Sequence, residues 1–408
     1  ATQIANLAVV LAYLAAIVGV GVWFALKKKS AEQFMVANQS LPGWAVGLSM
    51  FGSYISAISF LGNPGVAFKG NWMYAAFTVV TPIGLLFGTL VFMRFYRRTR
   101  AISAYSHLEH RFGPWARTYA VFTFLVLQMA RQGTILYLLG QATTQLLGGD
   151  PSDLWTTRAI IVGVGLLITF YTLFGGIEAV VWTGVLQSVV LLLGPVVCIV
   201  ALLVKTPGGL GHVVSAGMAD GKFGFGPFDT SFVAPTFWIV VLSAILEHLR
   251  NWGVDQSYIQ RYLATPSEKD AARSIWIAGL LYIPVGMFFF FIGTALYVYY
   301  QSAPQNLPAG LPVDQIFPRF ISYELPMGLG GLVIAAVFAA SMDSNLNSMA
   351  TLTLVDGYKR YVRPHAGERE SMRVLYASTV FWGVMSIAWA LVITLKSGNQ
   401  IMAEFAIK

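Results

Sequence analysis

Residues 51–65 read FGSYISAISFLGNPG, and this stretch decides the fold. Small polar positions, Gly52, Ser53, Ser56 and Ser59, interrupt a long apolar segment, which then ends in Gly62-Asn63-Pro64-Gly65. The surrounding chain has 408 residues, 56% hydrophobic and only 11% charged. An ordinary soluble domain carries about 25% charge. Apolar runs of about 20 residues, long enough to cross a bilayer, recur from end to end. They are continuous rather than alternating, which excludes a β-barrel. They are too long and too many for the buried strands of a soluble enzyme. The fold class is an all-α polytopic membrane protein, with the lipid bilayer as its surroundings.

Ten spans are expected, at about 4–26, 43–67, 72–96, 115–147, 156–175, 179–204, 233–262, 274–300, 325–356 and 372–397. Loops after the odd-numbered spans carry 17 lysines and arginines, and the opposite set carries 7. The basic set is therefore cytoplasmic and the N-terminus outside. The net charge of +8 is thus a topology signal, and no nucleic-acid partner is expected. The chain starts directly in an apolar run without a basic leader, so no removable signal peptide is expected. Cys198, the sole cysteine, lies in a span and reads as a small buried side chain.

The alternation exposes a repeat. Spans two to six (43–204) form one group of five, and span seven opens a second group with the opposite orientation. Residues 1–42 supply an extra N-terminal helix and a cytoplasmic loop, and 205–232 an extracellular loop. Repeat two, 233–408, shows four spans and the start of a fifth, so the fold is expected to continue beyond the chain. Inverted five-helix repeats with broken first helices are a transporter architecture.

Within hydrocarbon, irregular backbone is tolerated only in protein or beside a cavity. Glycines lower the cost of leaving helical geometry, and Pro64 removes a donor. A break between Gly52 and Pro64 would free carbonyls at the membrane midplane, where half-helix ends bind cations and anionic substrates. A packed seam of small residues is the alternative. Span nine favours the break. It reads AAVFAASMDSNLNSMATLTLVDGY, residues 335–358, with Ser341, Asp343, Ser344, Asn345, Asn347 and Ser348 crowded into two turns. A carboxylate within a span marks an ion or proton path, and this oxygen set suits sodium. Arg131 lies deep in span four, too far from either end to snorkel. Either an internal acid or an anionic substrate pairs with it. Glu247, His248, Arg250 and Asp255 in span seven either pair among themselves or mark the broken helix of repeat two. No phosphate-binding loop, metalloprotease motif or paired-cysteine site occurs, so the chain is not expected to be an enzyme. A channel would not need Arg131 beside a sodium site.

The segments SAYSHLEHRFG (103–113), FGGIEAVVWTGVLQ (174–187), DQSYIQRYLATPSEKDAARS (255–274) and AAVFAASMDSNLNS (335–348) resemble the sodium:solute symporter family across nearly the whole chain. The similar branch is the bacterial sodium/sialic-acid symporters of the inner membrane. The resemblance implies sodium-coupled symport of a small organic solute by alternating access. A carboxylated sugar such as sialic acid is expected. A neutral sugar, proline, pantothenate or a monocarboxylate is the alternative. It also implies a sodium site built from the carbonyls of Gly52 and Ile55, the carbonyl of Ala340 (Val337 in another register) and the Ser341 hydroxyl. The implied substrate site uses Ser56, Ser59, Tyr74, Thr78 and Arg131, with Arg131 on the carboxylate. Two departures matter. Span nine is about three residues shorter than the branch pattern just before Ser341, and a paired serine is missing. The branch carries an acid where this chain has Gly184. Asp343, with Ser344 beside it, is then expected to supply the anion of a second sodium site.

Overall fold

The computed structural model describes residues 2–26, 30–56, 58–99, 102–146, 153–230, 236–308, 310–341 and 345–396. Every regular element among them is helical. The elements in chain order are α1 (Thr2–Ala25), α2 (Ala31–Val36), α3 (Gly43–Tyr54), α4 (Asn63–Lys69) and α5 (Met73–Thr99). Next come α6 (Ser106–Phe112), α7 (Pro114–Leu146), α8 (Leu154–Lys205), α9 (Gly209–Ala219), α10 (Phe237–Gly253) and α11 (Gln256–Leu263). The last are α12 (Glu268–Ser302), α13 (Val313–Tyr323), α14 (Leu329–Ser341), α15 (Leu346–Leu352) and α16 (Glu368–Lys396).

Length and chemistry explain how these helices become spans. At 1.5 Å per residue, the 52 residues of α8 would run more than twice the depth of a hydrocarbon core. The helix turns back at Gly176, where φ is 57° and ψ −158°. Only glycine adopts that conformation without strain. It also has room for no side chain, because a Cβ there would lie 2.9 Å from the Phe34 carbonyl oxygen. The turn separates the two expected spans at 156–175 and 179–204.

The expected span at 233–262 is two helices instead. α10 stops at Gly253, Val254 leaves helical geometry, and the Asp255 side chain caps α11 through the Ser257 N–H. A helix end inside a membrane protein leaves carbonyls without partners. Tyr96 donates to the Gly253 carbonyl at 2.8 Å, and Tyr105 to that of Val254 at 2.9 Å. The described parts of span nine are α14 and α15, and α15 continues as π-helical turns over Thr353–Val362. α14 is capped from another helix: the Asn6 carboxamide of α1 accepts from the N–H groups of Gly328 and Gly331, both at 3.0 Å.

Packing puts the broken second span at the centre. α12 runs against both α3 and α4, and α8 packs on α3, α14, α1 and α16. α1 lies outside on α8 and α14, with Leu11 and Trp23 exposed as lipid-facing side chains would be. Six described helices are long and apolar enough to cross a membrane, and α3 with α4 makes a seventh span.

Candidate ion and substrate site

The site starts where α3 ends. Ile55 takes an extended conformation (φ −97°, ψ 107°), π-helical turns occupy Ile58–Gly62, and α4 leaves at 57° to α3. Among the described residues, no hydrogen bond reaches the carbonyl of Gly52 or of Ile55. These are oxygens of the last helical turn, which has no partners of its own. The break lies upstream of Pro64, which occupies the first turn of α4, where a missing N–H is tolerated. Ser56 and Ser59 are half-buried at the break. The Ser59 N–H donates to Ser56 Oγ at 3.4 Å, and the Phe60 N–H to the Ser56 carbonyl at 2.9 Å. Phe60 anchors the segment after the break, with its ring 4.9 Å from that of Phe289 and 5.9 Å from that of Phe317.

Span nine meets this break. A Cβ at Gly194 would lie 2.7 Å from the Ala336 Cβ and 3.5 Å from Phe60, so the missing side chain lets α8, α14 and the π turns converge. Val337 and Ala340 are buried on α14, and Ser341 is its last residue. Asp343 and Ser344 lie outside the described residues, as does the Ser341 side chain.

The expected substrate residues divide into two groups. Arg131 is half-buried on α7, and among the described residues no hydrogen bond or ion pair joins it to a partner. Glu247 of α10 lies within its electrostatic reach, yet Glu247 Oε1 is already bonded to Arg250 at 2.5 Å. Arg250 also reaches Asp255 at 3.4 Å, so the span-seven cluster both pairs internally and marks the break. Tyr74 is half-buried among Trp72, Phe225, Met287 and Phe290. Thr78 is fully buried and turned to α12. Its hydroxyl bonds Tyr282, and a Cβ on Gly286 would lie 2.5 Å from it. His248 is a buried structural side chain, with Nε2 2.8 Å from the Phe77 carbonyl.

Sequence reasoning missed an aromatic box around Tyr54. Its ring centroid lies 4.9 Å from that of Tyr282, 5.4 Å from Tyr258, 5.5 Å from Trp252 and 5.9 Å from His248. These rings close on the break from α10, α11 and α12. Four of the five lie more than 190 residues from Tyr54 in the chain, which hides the constellation from any local pattern. Gly184 is closed against α3: a Cβ there would lie 2.5 Å from Ser49 Oγ and 2.9 Å from Ser49 Cα. An acid at this position would require α3 to move. The buried Arg261 donates to the Ser49 carbonyl at 3.2 Å and to Ser53 Oγ.

Lys222, in the loop after α9, reaches back to the end of α4. Its Nζ donates to the carbonyls of Phe68 at 2.7 Å and Gly70 at 3.1 Å, and stacks 3.7 Å over the Tyr297 ring. A cation at the end of α4 complements the helix dipole. Burial lowers the Lys222 pKa, and Asp220 opposes the shift.

Comparison with known proteins agrees with this architecture. The sodium:solute symporter family model matches residues 34–407. The sodium/sialic acid symporter SiaT of Proteus mirabilis is 32% identical over 98% of this chain and 80% of its own length. The sodium/sialic acid symporter NanT of Aliivibrio fischeri is 30% identical over 98% of this chain and 79% of its own length. A solved structure of a Na+-coupled sialic acid symporter, substrate-bound and outward-open with a novel Na+ site, superposes with a TM-score of 0.91. It shares 32% identity over 96% of this chain and 83% of the other. Helical throughout its described residues, with a second span that breaks at Ile55 and a match over nearly its whole length, this chain belongs to the sodium:solute symporter family.

Proposed function

We propose that this sodium:solute symporter carries a carboxylated sugar of the sialic-acid class, with Arg131 as the clamp for the carboxylate. The observation that carries the reading is a guanidinium in the middle of a span with no ion pair among the described residues. A planar fork of donors matches a carboxylate in bidentate geometry. The similarity to SiaT and NanT supports the same substrate class. Ser56, Ser59 and Tyr74 line the substrate side, and Thr78 acts through Tyr282. Sodium binds the Gly52 and Ile55 carbonyls, the Ala340 or Val337 carbonyl and the Ser341 hydroxyl. Asp343, with Ser344, supplies the anion of a second cation site, since Gly184 leaves none there.

The repeats run over 43–204 and 233 onward, with the N-terminus outside. External sodium stabilises the break and completes the pocket, so that each ligand raises affinity for the other. The test is uptake into proteoliposomes of sialic acid, glucose, proline and pantothenate under an inward sodium gradient. Sialic acid uptake that collapses in Arg131→Ala supports the assignment. Glucose uptake indifferent to Arg131→Ala replaces it with a neutral-sugar carrier.

A further inference from the structure

All eight residues of α11 are buried, although Gln256, Ser257, Gln260 and Arg261 are polar or charged. All seven of α15 are buried too. A helix so polar belongs in water unless its groups are bonded elsewhere, and the bonds cross between separate parts of the molecule. The two protons of Gln260 Nε2 are shared among three acceptors, the Met35 carbonyl at 2.6 Å, Asn347 Oδ1 at 2.8 Å and Thr351 Oγ1 at 3.0 Å. Asn347 Nδ2 continues to the Phe34 carbonyl at 3.2 Å. One layer deeper, Gln128 Nε2 donates to Asp255 Oδ2 at 2.9 Å, and Asn345 Nδ2 donates to Gln128 Oε1 at 3.0 Å. Gln256 ties the same helix to the 102–104 loop, donating to the Ile102 carbonyl and accepting from the Ala104 N–H, both at 2.8 Å.

We propose that this seam of side-chain amides is the cytoplasmic gate of the transport cycle, with Gln260 as its central latch. The proposal rests on the alternating-access reading. The seam joins α11 to α7, to α15 and to α2, on the basic side of the molecule. A path from the break to the cytoplasm must part α11 from these neighbours. Its chemistry suits reversible opening. A neutral amide pair exchanges its bond for water at small net cost, whereas an ion pair sealed here would lose its partner at a large penalty. The seam also senses both ligand sites. Gln128 lies one turn before Arg131 on α7, and Asn345 begins the helix that follows Ser341. Asp255 links the seam through Arg250 to Glu247, which lies within electrostatic reach of Arg131.

The test uses the whole chain in a Cys198→Ser background. Gln260→Cys with Asn347→Cys, joined by a short reducible bis-methanethiosulfonate linker, stops transport, keeps sodium binding from outside, and recovers on reduction. Transport that continues at the unlinked rate overturns the gate. Gln260→Ala is read by maleimide labelling of a cysteine at Ser257 from the cytoplasmic side without sodium. Labelling accelerates about ten-fold, the weight of one or two such bonds, and the apparent KM for external sodium rises while maximal rate holds. A labelling rate equal to that of the parent chain overturns the latch, and a fallen maximal rate with unchanged sodium KM marks a purely structural role. Labelling needs no substrate, so it fails independently of the substrate assignment.

Discussion

Replacing Arg131 by alanine separates two physical situations by opposite signatures. A guanidinium that grips a substrate carboxylate makes two charge-assisted hydrogen bonds, each worth about 1.5–3 kcal/mol. Part of this returns when the released carboxylate is rehydrated, which leaves about 3 kcal/mol. At about 1.4 kcal/mol per factor of ten, substrate KM or Kd rises roughly 150-fold. Lysine keeps the charge and loses the fork, so Arg131→Lys weakens binding about ten-fold on the same scale. Because Glu247 is already held by Arg250, no described ion pair breaks in Arg131→Ala. Stability in detergent without substrate should therefore change by less than about 1 kcal/mol. Breaking a buried structural pair would instead cost about 3–5 kcal/mol. Proteoliposome uptake gives KM, and thermal unfolding with and without substrate gives the stability. A variant with normal KM and a lowered melting temperature refutes the clamp.

Tyr96→Phe removes the donor to the Gly253 carbonyl and leaves a buried acceptor unsatisfied. It lowers stability by about 1–3 kcal/mol, seen as a lower melting temperature with intact substrate KM. Gly184→Ala forces a methyl into the Ser49 backbone, costing about 1–3 kcal/mol by overpacking; Gly163→Ala, with open space around it, is the matched control. Exchanging sodium for choline removes the ligand stabilisation, about 2.7 kcal/mol at a hundred-fold excess over Kd. The melting temperature falls accordingly in the parent chain and moves much less in Ser341→Ala.

The long apolar helices, six of them and a seventh span made of α3 with α4, were legible because bilayer thickness imposes a length on each. The break in span two was legible from Gly52, Ser56, Ser59 and Gly62 only together with the polar cluster of span nine, since a packed seam of small residues would carry the same pattern. The interruption after Gly253 was not. Its carbonyls are satisfied by Tyr96 and Tyr105, about 150 residues away, and a local window still reads 233–262 as one span. Thr78 was expected at the substrate from the resemblance alone, and the notch left by Gly286, which turns it to α12, has no local signature. The short helices α9 and α13 escaped notice because they lie in loops and need not cross the membrane. The oxygens of Gly52 and Ile55 were inferred from resemblance, since a carbonyl leaves no mark in the residue type.

The contact of Gly184 with Ser49 has an electrical consequence. One sodium and one carboxylate sum to zero charge, so a carrier loaded that way draws no work from the membrane potential. A second sodium held by Asp343 makes each turnover carry one positive charge. A potential of 100 mV then adds about 2.3 kcal/mol, roughly a 40-fold increase in attainable accumulation. With no room for an acid at Gly184, that difference rests on one side chain: Asp343→Asn abolishes the substrate-evoked current and leaves potential-independent, sodium-driven uptake.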